Sequence, residues 1–343
     1  MMKYVEIQNG TYIYTFFYTD RLIKITKEDV DSIPVDSIVH GRVKKLDSKM
    51  GYGFVDIGQE EDAYLNTKNL QIKSGQDYFF NIRRIADDEK GYMVDDDIKV
   101  FGEYAILLPN RRGVKNTKAM KHESRELQAL EKHLGMGFIL RTKTRDISLD
   151  ALRNDLYYLK EIYDKLSQEK HVLPIPKIIK RSMRPAEKYA FVKGAVQGSM
   201  EDLRPLLKEA MPYMTDGKIV EGESHILVDV KPHFSFFDIN TGRYSIYSER
   251  ERNRWEVNSK LMETVLRIIE LRNLEGTLLI DLLKMKKEQE ERFIHSFLPY
   301  FQSIDVSFHD ITALGIMELT RKKNGGESIR EEDILCWKEH ILS

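Results

Sequence analysis

Residues 234–244 read FSFFDINTGRY, and residues 275–285 read EGTLLIDLLKM. In each stretch a run of bulky apolar residues stops at an acid, which is Asp238 in the first and Asp281 in the second. Short apolar runs of this kind are typical of strands buried in a sheet. The two stretches therefore predict two strands whose last residues carry polar side chains.

The segments around these strands predict a layered α/β or α+β region from about residue 219 onward. A long helical pattern across 251–272 separates the two strands, and another helical pattern follows near 285–298. Open sheets of this class place ligand sites beyond the carboxyl ends of their strands, so Asp238 and Asp281 are expected close together. Residues two apart in a strand point to the same side, so Asn240 is expected on the same face as Asp238.

Two interpretations of these polar residues stay open at this point. Adjacent carboxylates repel each other, and a hard cation such as Mg²⁺ removes that penalty while keeping water and substrate phosphate as further ligands. Asp238 and Asp281 would then hold the ion, and Asn240 would orient the site. The alternative is an Asx-type turn at Asp238 and Asn240, with Asp281 capping the next helix. Spacing alone favours this second interpretation.

Composition limits the class of protein. A length of 343 residues indicates two or three domains, and a formal net charge of −1 excludes a protein that coats nucleic acid indiscriminately. The single cysteine, Cys336, excludes an intramolecular disulfide and a Cys-x-x-Cys zinc pair. The sequence shows neither a signal peptide nor an apolar run of the roughly 20 residues that span a bilayer. We therefore expect a soluble, cytoplasmic protein that does not contact membranes.

Residues 35–103 contain short β-type segments separated by Gly, Asp and Lys, which predicts a small barrel. Phe54 and Tyr64 lie on neighbouring predicted strands. Barrels of the OB type bind single strands by stacking bases on exposed aromatic rings, which would make both residues RNA-binding candidates. Aromatic residues in strands are more often packing residues, so that alternative is retained.

Basic residues that could contact phosphates, or simply face solvent, form two groups. The first group contains Arg111, Arg112, Lys115, Lys118 and Lys121, and the second contains Lys177, Lys180, Arg181 and Arg184. In addition, Arg141 and Thr142 follow the short apolar run of GMGFILRT. An Arg fork beside a hydroxyl suits a terminal phosphate, although the pair alone is a weak signal.

These segments, taken in order, resemble the catalytic half of the ribonuclease E/G family from roughly residue 35 to residue 323. The sequence IVHGRVKKLDSKMGYGFVDIGQEEDAYL is similar to the family's OB-fold RNA-binding barrel, and GMGFILRT to its 5′-sensor strand. FFDINTG and EGTLLIDLLKM resemble the two catalytic motifs, and LGIMELTRKK the segment before the family's zinc link. Their shared order reverses the preference for the turn interpretation.

The resemblance implies a Mg²⁺-dependent endoribonuclease that cuts single-stranded RNA and leaves 5′-phosphate and 3′-hydroxyl ends. Asp238 and Asp281 would be metal ligands and Asn240 the positioning residue. Phe54 and Tyr64 would stack bases, and Arg141 and Thr142 would grip a 5′-monophosphate. Tyr64 stands where the family commonly has Phe, a change that keeps a stacking face.

The implied fold is α+β and multidomain, with the OB-fold barrel inserted in a ribonuclease H-like domain and followed by a deoxyribonuclease-I-like catalytic domain. Residues 1–34 and 171–218 would form the split domain, 35–103 the barrel, 104–170 the 5′-sensor region, and 219–343 the catalytic domain.

The sequence departs from the family pattern at three places. The Cys-x-x-Cys zinc link is missing, so any homodimer is expected to use a non-zinc interface. Lys284 stands where the second motif usually has another acid, and Pro232 where the family often has Glu. These departures motivate an alternative hypothesis, a catalytically weak or inactive RNA-binding protein of the same fold.

Overall fold

The computed structural model describes the whole chain except residues 48, 68–71, 87–89, 116–123, 142–143, 145–146, 169–171, 173, 216, 232–233, 242–249, 323–326 and 343. The chain divides into two compact units, one formed by Met1–Asp31 with Pro185–Ser343 and the other by Ser32–Arg184. The second boundary falls in the basic, proline-containing stretch 172–185.

The described residues form strands and helices in the following order. The strands are β1 (Lys3–Asn9), β2 (Tyr12–Tyr18), β3 (Leu22–Asp29), β4 (Ile38–Asp47), β5 (Tyr52–Asp56), β6 (Ala63–Asn66), β7 (Asp77–Arg84), β8 (Met93–Asp95), β9 (Val100–Phe101), β10 (Ala105–Leu108), β11 (Val114–Lys115), β12 (Gly137–Leu140), β13 (Lys177–Lys180), β14 (Val196–Gln197), β15 (Lys218–Glu221), β16 (Ser224–Val230), β17 (Phe234–Asn240), β18 (Gly276–Asp281), β19 (Val306–Ile311) and β20 (Ile316–Arg321). The helices are α1 (Ser124–Leu134), α2 (Leu149–Gln168), α3 (Pro185–Lys193), α4 (Met200–Thr215), α5 (Arg250–Leu271), α6 (Lys287–Ser303) and α7 (Glu331–His340).

The unit Ser32–Arg184 contains a closed five-stranded barrel. Its strands pair in the order β4-β5-β6-β8-β7, and β7 returns to pair with β4. The β6–β8 pair is parallel and the other pairs are antiparallel, an arrangement of the OB type. Val43, Val55, Phe80 and Val94 are fully buried inside. The prediction of a small barrel of the OB type is therefore confirmed.

The same unit continues with a four-stranded sheet, β11-β12-β10-β9, that shares a core with α1 and α2. The backbone N–H of Ala151 donates to the Ser148 hydroxyl at 3.2 Å, so Ser148 acts as the N-cap of α2. The buried face of α2 consists of leucines spaced three, four or seven residues apart, which are Leu152, Leu156, Leu159 and Leu166. Strand β13 pairs with β4 and adds a sixth strand to the sheet that forms the barrel.

The unit formed by Met1–Asp31 and Pro185–Ser343 contains two sheets. The first, β14-β1-β2-β3, includes a hairpin that turns at Asn9-Gly10 and packs against α4 and α7 around the buried Trp337. The second has six strands in the order β15-β16-β17-β18-β20-β19. One face of this second sheet is buried against α5 and α6 through residues such as Phe237 and Ile280.

The chain is thus a mixed α+β protein with a closed barrel and several separate sheets. The ribonuclease H-like and deoxyribonuclease-I-like assignments, and the four domain ranges, stay predictions. Among the described residues, no helix has both the length and the apolar character needed to cross a bilayer.

Candidate active site and nucleic-acid interface

Asp238 and Asp281 lie side by side at the carboxyl ends of two parallel strands. Helix α5 connects β17 to β18, and the register of that pair sets Asp238 directly opposite Asp281. Adjacent strands are about 4.8 Å apart, and paired residues point to the same face. Asn240 follows two residues later in β17 on that same face, so the structure brings the three predicted residues together.

The structure places these residues in strands, not in the turn and helix cap of the alternative interpretation. Asp238 and Asn240 lie within β17, and the Asn240 side-chain amide makes a long contact of 3.5 Å to the main-chain oxygen of Asp238. Helix α6 begins at Lys287 with Lys286 as its N-cap, so Asp281 caps no helix. The two carboxyls therefore lie together at the carboxyl ends of their strands, where the apolar runs end.

Burying Asp281 beside a second acid has an electrostatic cost. Burial, and secondarily the neighbouring Asp238 carboxyl, raise the pKa of Asp281 above its ordinary value. The folded chain therefore holds this proton to a higher pH than the unfolded chain does. Stability is lost as the pH rises through the folded pKa of Asp281, so the ionised pair destabilises the fold until a positive charge offsets it.

The donor set fits Mg²⁺. Both side chains offer hard carboxylate oxygens, and Asn240 adds a neutral amide beside them. Within the described ranges, no group of three or more His, Cys, Asp or Glu side chains could hold a metal. Mg²⁺ is often held by one or two carboxylates with water and substrate phosphate completing its shell, which matches this sparse set.

The segment after Asp281 is fixed by a residue that sequence reasoning missed. Asn258 of α5 is fully buried, and its side-chain amide donates to the Leu283 carbonyl at 2.8 Å. The Leu283 N–H donates back to the Asn258 side-chain oxygen at 3.0 Å. An Asn inside a helical apolar pattern was the available signal, because such residues are unfavourable there without a specific partner. Lys284 follows with an exposed side chain, and Pro232 lies outside the described residues.

The barrel carries an aromatic surface formed by Phe54, Tyr64 and Tyr52. Phe54 and Tyr64 are register partners on β5 and β6, and their ring centroids are 6.5 Å apart. Tyr52, which sequence reasoning missed, lies 5.7 Å from Phe54 and nearly parallel to Tyr64 at 6.2 Å. Tyr64 is 37% exposed and the other two rings are half-buried. The alternation of Tyr52 and Phe54 along β5 was the missed signal.

The basic residues divide into exposed and structurally engaged ones. Arg112 and Lys115 are exposed, whereas the Arg111 guanidinium pairs with Asp97 at 2.6 Å. In the second group, burial lowers the pKa of Lys180, and Arg181 donates to the Ser32 carbonyl at 2.7 Å. The second group is therefore partly structural. Lys118 and Lys121 lie outside the described residues.

Arg141 sits at the end of β12, as the sequence predicts. Its backbone N–H donates to the Tyr104 carbonyl at 2.9 Å, and its guanidinium donates to the Gly102 carbonyl. One side-chain donor is thus used by a described residue, and a guanidinium has five N–H donors in all. Thr142 lies outside the described residues.

Comparison with known proteins decides the family. The model of the "Ribonuclease E/G family" matches residues 100–215 and 219–324. The chain belongs to the ribonuclease E/G family. The second matched segment contains Asp238, Asn240 and Asp281, whereas the barrel strands β4–β8 precede the first.

Curated members of the ribonuclease E/G family resemble most of the chain. Ribonuclease G of Escherichia coli strain K12 is 24% identical over 88% of this chain and 75% of its own length. Ribonuclease G of Haemophilus influenzae is 24% identical over 88% of this chain and 74% of its own length. Ribonuclease E of Synechocystis sp. is 20% identical over 95% of this chain and 57% of its own length. The likeness therefore extends beyond the two segments that the family model matches.

Proposed function

We propose that this chain is a Mg²⁺-dependent endoribonuclease that cuts single-stranded RNA during RNA processing or decay. One observation carries the proposal: Asp238 and Asp281 are register partners at the carboxyl ends of parallel strands, inside a segment that matches the family model. The raised pKa of Asp281 supports it, because a pair of acids that destabilises the fold is expected to be retained for a function.

Asp238 and Asp281 would hold the ion, and Asn240 would orient the scissile phosphate without adding negative charge. The bound ion supplies neutralisation of the charge that builds on the phosphodiester and acidifies a water molecule. Attack of water on the phosphorus, with cleavage of its bond to the 3′-oxygen, leaves a 5′-phosphate and a 3′-hydroxyl. The Asn258 contacts hold the chain after Asp281, so the second acid is positioned by α5 as well as by the sheet.

Substrate binding in this proposal uses the barrel and its flanking cations. The rings of Tyr52, Phe54 and Tyr64 offer faces for unpaired bases, and Arg112 and Lys115 offer exposed charges for phosphates. We place this activity in the cytoplasm. Any dimer would form without a zinc link, since Cys336 is the only cysteine.

The direct test uses a fluorescent single-stranded RNA and a DNA of the same sequence, each incubated with purified chain with and without Mg²⁺. We expect cleavage of the RNA only, and only with the ion. Tight binding of RNA without cleavage under any divalent condition would contradict the enzyme and leave an RNA-binding protein. Cleavage of the DNA alone would contradict the choice of substrate.

Arg141→Ala should reduce the preference for 5′-monophosphate over 5′-hydroxyl RNA while leaving cleavage of the 5′-hydroxyl RNA unchanged. A charge-assisted contact contributes about 1.5–3 kcal/mol, so the ratio of the two rates should fall by about 10- to 100-fold. Arg141→Lys is the matched control, since it keeps the charge and loses the fork. An unchanged rate ratio in Arg141→Ala would remove Arg141 from 5′-end recognition.

A further inference from the structure

The face of the six-stranded sheet that carries the two acids also carries a pair of apolar side chains, two residues earlier in each strand. Phe236 and Leu279 are register partners on β17 and β18, two residues before Asp238 and Asp281. Two residues along a strand span about 6.6–6.8 Å, so both pairs lie on the same face at nearly one nucleotide's distance. On β20 the register partner of Leu279 is Glu318.

Phe236 and Leu279 are not part of the protein core. Alternation buries Phe237 and Ile280 completely on the opposite face, where α5 and α6 pack. Phe236 and Leu279 remain half-exposed, and neither belongs to the cluster of residues packed there. A half-exposed aromatic ring with an aliphatic neighbour is a surface on which a nucleobase stacks, at about 1–3 kcal/mol per base.

Register partners on four neighbouring strands form a row across the sheet, and its two ends differ in charge. The row contains Asp229, Phe236, Leu279 and Glu318. At one end Asp229, the register partner of Phe236, forms an ion pair with Lys231 at 2.9 Å. At the other end Glu318 pairs in register with Asp310 of β19, which is itself acidic. Glu318 lies about one strand spacing from Leu279, so its carboxylate can accept a hydrogen bond from a base that covers Phe236 and Leu279. A carboxylate accepts hydrogen bonds and donates none.

We propose that Phe236 and Leu279 stack the base next to the scissile phosphate and that Glu318 accepts a hydrogen bond from an amino group of that base. This inference rests on the proposed function, because the acid pair places the phosphate. Cytosine presents an amino group where uracil presents the O4 acceptor, which faces a carboxylate unfavourably. The site should therefore prefer cytosine to uracil at one position flanking the cut.

The first test measures single-turnover cleavage of RNAs with one mapped cut site, in which each flanking position carries either cytosine or uracil. Wild type should prefer cytosine at one of the two positions, by about 5- to 100-fold. Glu318→Gln should abolish most of this preference, since an amide both donates and accepts. No cytosine preference in wild type, or the same preference in Glu318→Gln, would overturn the assignment of Glu318.

The second test has a readout that needs no cleavage. An RNA with 2-aminopurine at the preferred flanking position is bound to the Asp238→Asn variant, and its fluorescence is quenched when the base stacks. Adding Phe236→Ala should remove the quenching and weaken binding by about 5- to 100-fold. Adding Phe236→Tyr should retain both, because the stacking face is kept.

Phe234→Ala in the Asp238→Asn variant is the matched control. Phe234 is 43% exposed on the same strand and lies two residues further from Asp238 than Phe236 does. It should leave the quenching unchanged. Equal quenching with and without Phe236→Ala would overturn the inference even if the protein cleaves RNA. If wild type never cleaves RNA but the quenching still depends on Phe236, the proposed function is overturned and the base-binding site is retained.

Discussion

Replacing Asp238 with Asn should lower the rate of single-stranded RNA cleavage by at least about 100-fold and leave RNA affinity nearly unchanged. The substitution keeps the size of the side chain and removes the charge that holds the ion, which supplies several kcal/mol at the transition state. Affinity should persist because the aromatic surface that we expect to bind RNA is on the barrel, in the other unit of the chain. Cleavage is measured by gel or fluorescence, and binding by anisotropy with the same RNA.

Asp229→Asn is the matched control for this prediction. Asp229 lies on the neighbouring strand β16, is exposed, and pairs with Lys231. Its loss should change the rate by less than about twofold, since a surface ion pair contributes only about 0–1 kcal/mol and lies outside the acid pair. Cleavage by Asp238→Asn at the wild-type rate would remove Asp238 from the catalytic site and the Mg²⁺ proposal with it.

The double substitution Phe54→Ala and Tyr64→Ala should weaken binding of single-stranded RNA by about 30-fold or more. Each stacked base contributes about 1–3 kcal/mol, and the two rings are register partners on one surface. The measurement uses the Asp238→Asn background, so the RNA stays intact during titration. Tyr64→Phe is the matched control and should bind like its parent, because the ring face is unchanged.

Circular dichroism separates loss of binding from loss of fold in this experiment. Phe54 is half-buried and Tyr64 is 37% exposed, whereas Phe80 fills the barrel interior and is fully buried. Removing the two surface rings should therefore leave the spectrum unchanged. Wild-type affinity in the double variant would show that both rings serve packing and that RNA binds elsewhere.

Local sequence pattern predicted the elements that carry the candidate site. The apolar runs ending at Asp238 and Asp281 are strands, and the helix between them begins and ends within one residue of the predicted range 251–272. The barrel followed from short alternating segments separated by turn residues. These features are readable because burial on one face of a strand imposes a period of two on the sequence.

Pairing between distant segments could not be predicted in the same way. Lys177 of β13 pairs with His40 of β4, and no local pattern links two segments so far apart in the chain. Register is equally hidden, although a slip by one residue between β17 and β18 would separate the two acids. The register of Phe236, Leu279 and Glu318 therefore becomes visible only in the folded sheet.

The engagement of polar side chains was also beyond the sequence. Arg111 and Lys180 each looked like free cations in a basic stretch, but Arg111 pairs with Asp97 and Lys180 is partly buried. Asn258 stood out only as a polar residue in an apolar helical pattern, and the sequence did not show that its side chain contacts both main-chain groups of Leu283. Such contacts depend on which atoms tertiary packing brings within hydrogen-bond distance.

The central claim, that Asp238 and Asp281 share one cation, is tested most directly by thermal unfolding of wild type, Asp238→Asn and Asp281→Asn with and without Mg²⁺. At tenfold the dissociation constant the ion should stabilise wild type by about 1.4 kcal/mol, or about 3–6 °C in a unit of this size, and should stabilise neither variant. Without the ion, near neutral pH, each variant should unfold at or above the wild-type temperature. Burial, and secondarily the Asp238 carboxyl, raise the pKa of Asp281, so removing either charge relieves a cost of the ionised pair. Equal Mg²⁺ shifts in all three proteins, or metal-free variants less stable than wild type, would contradict a shared ion.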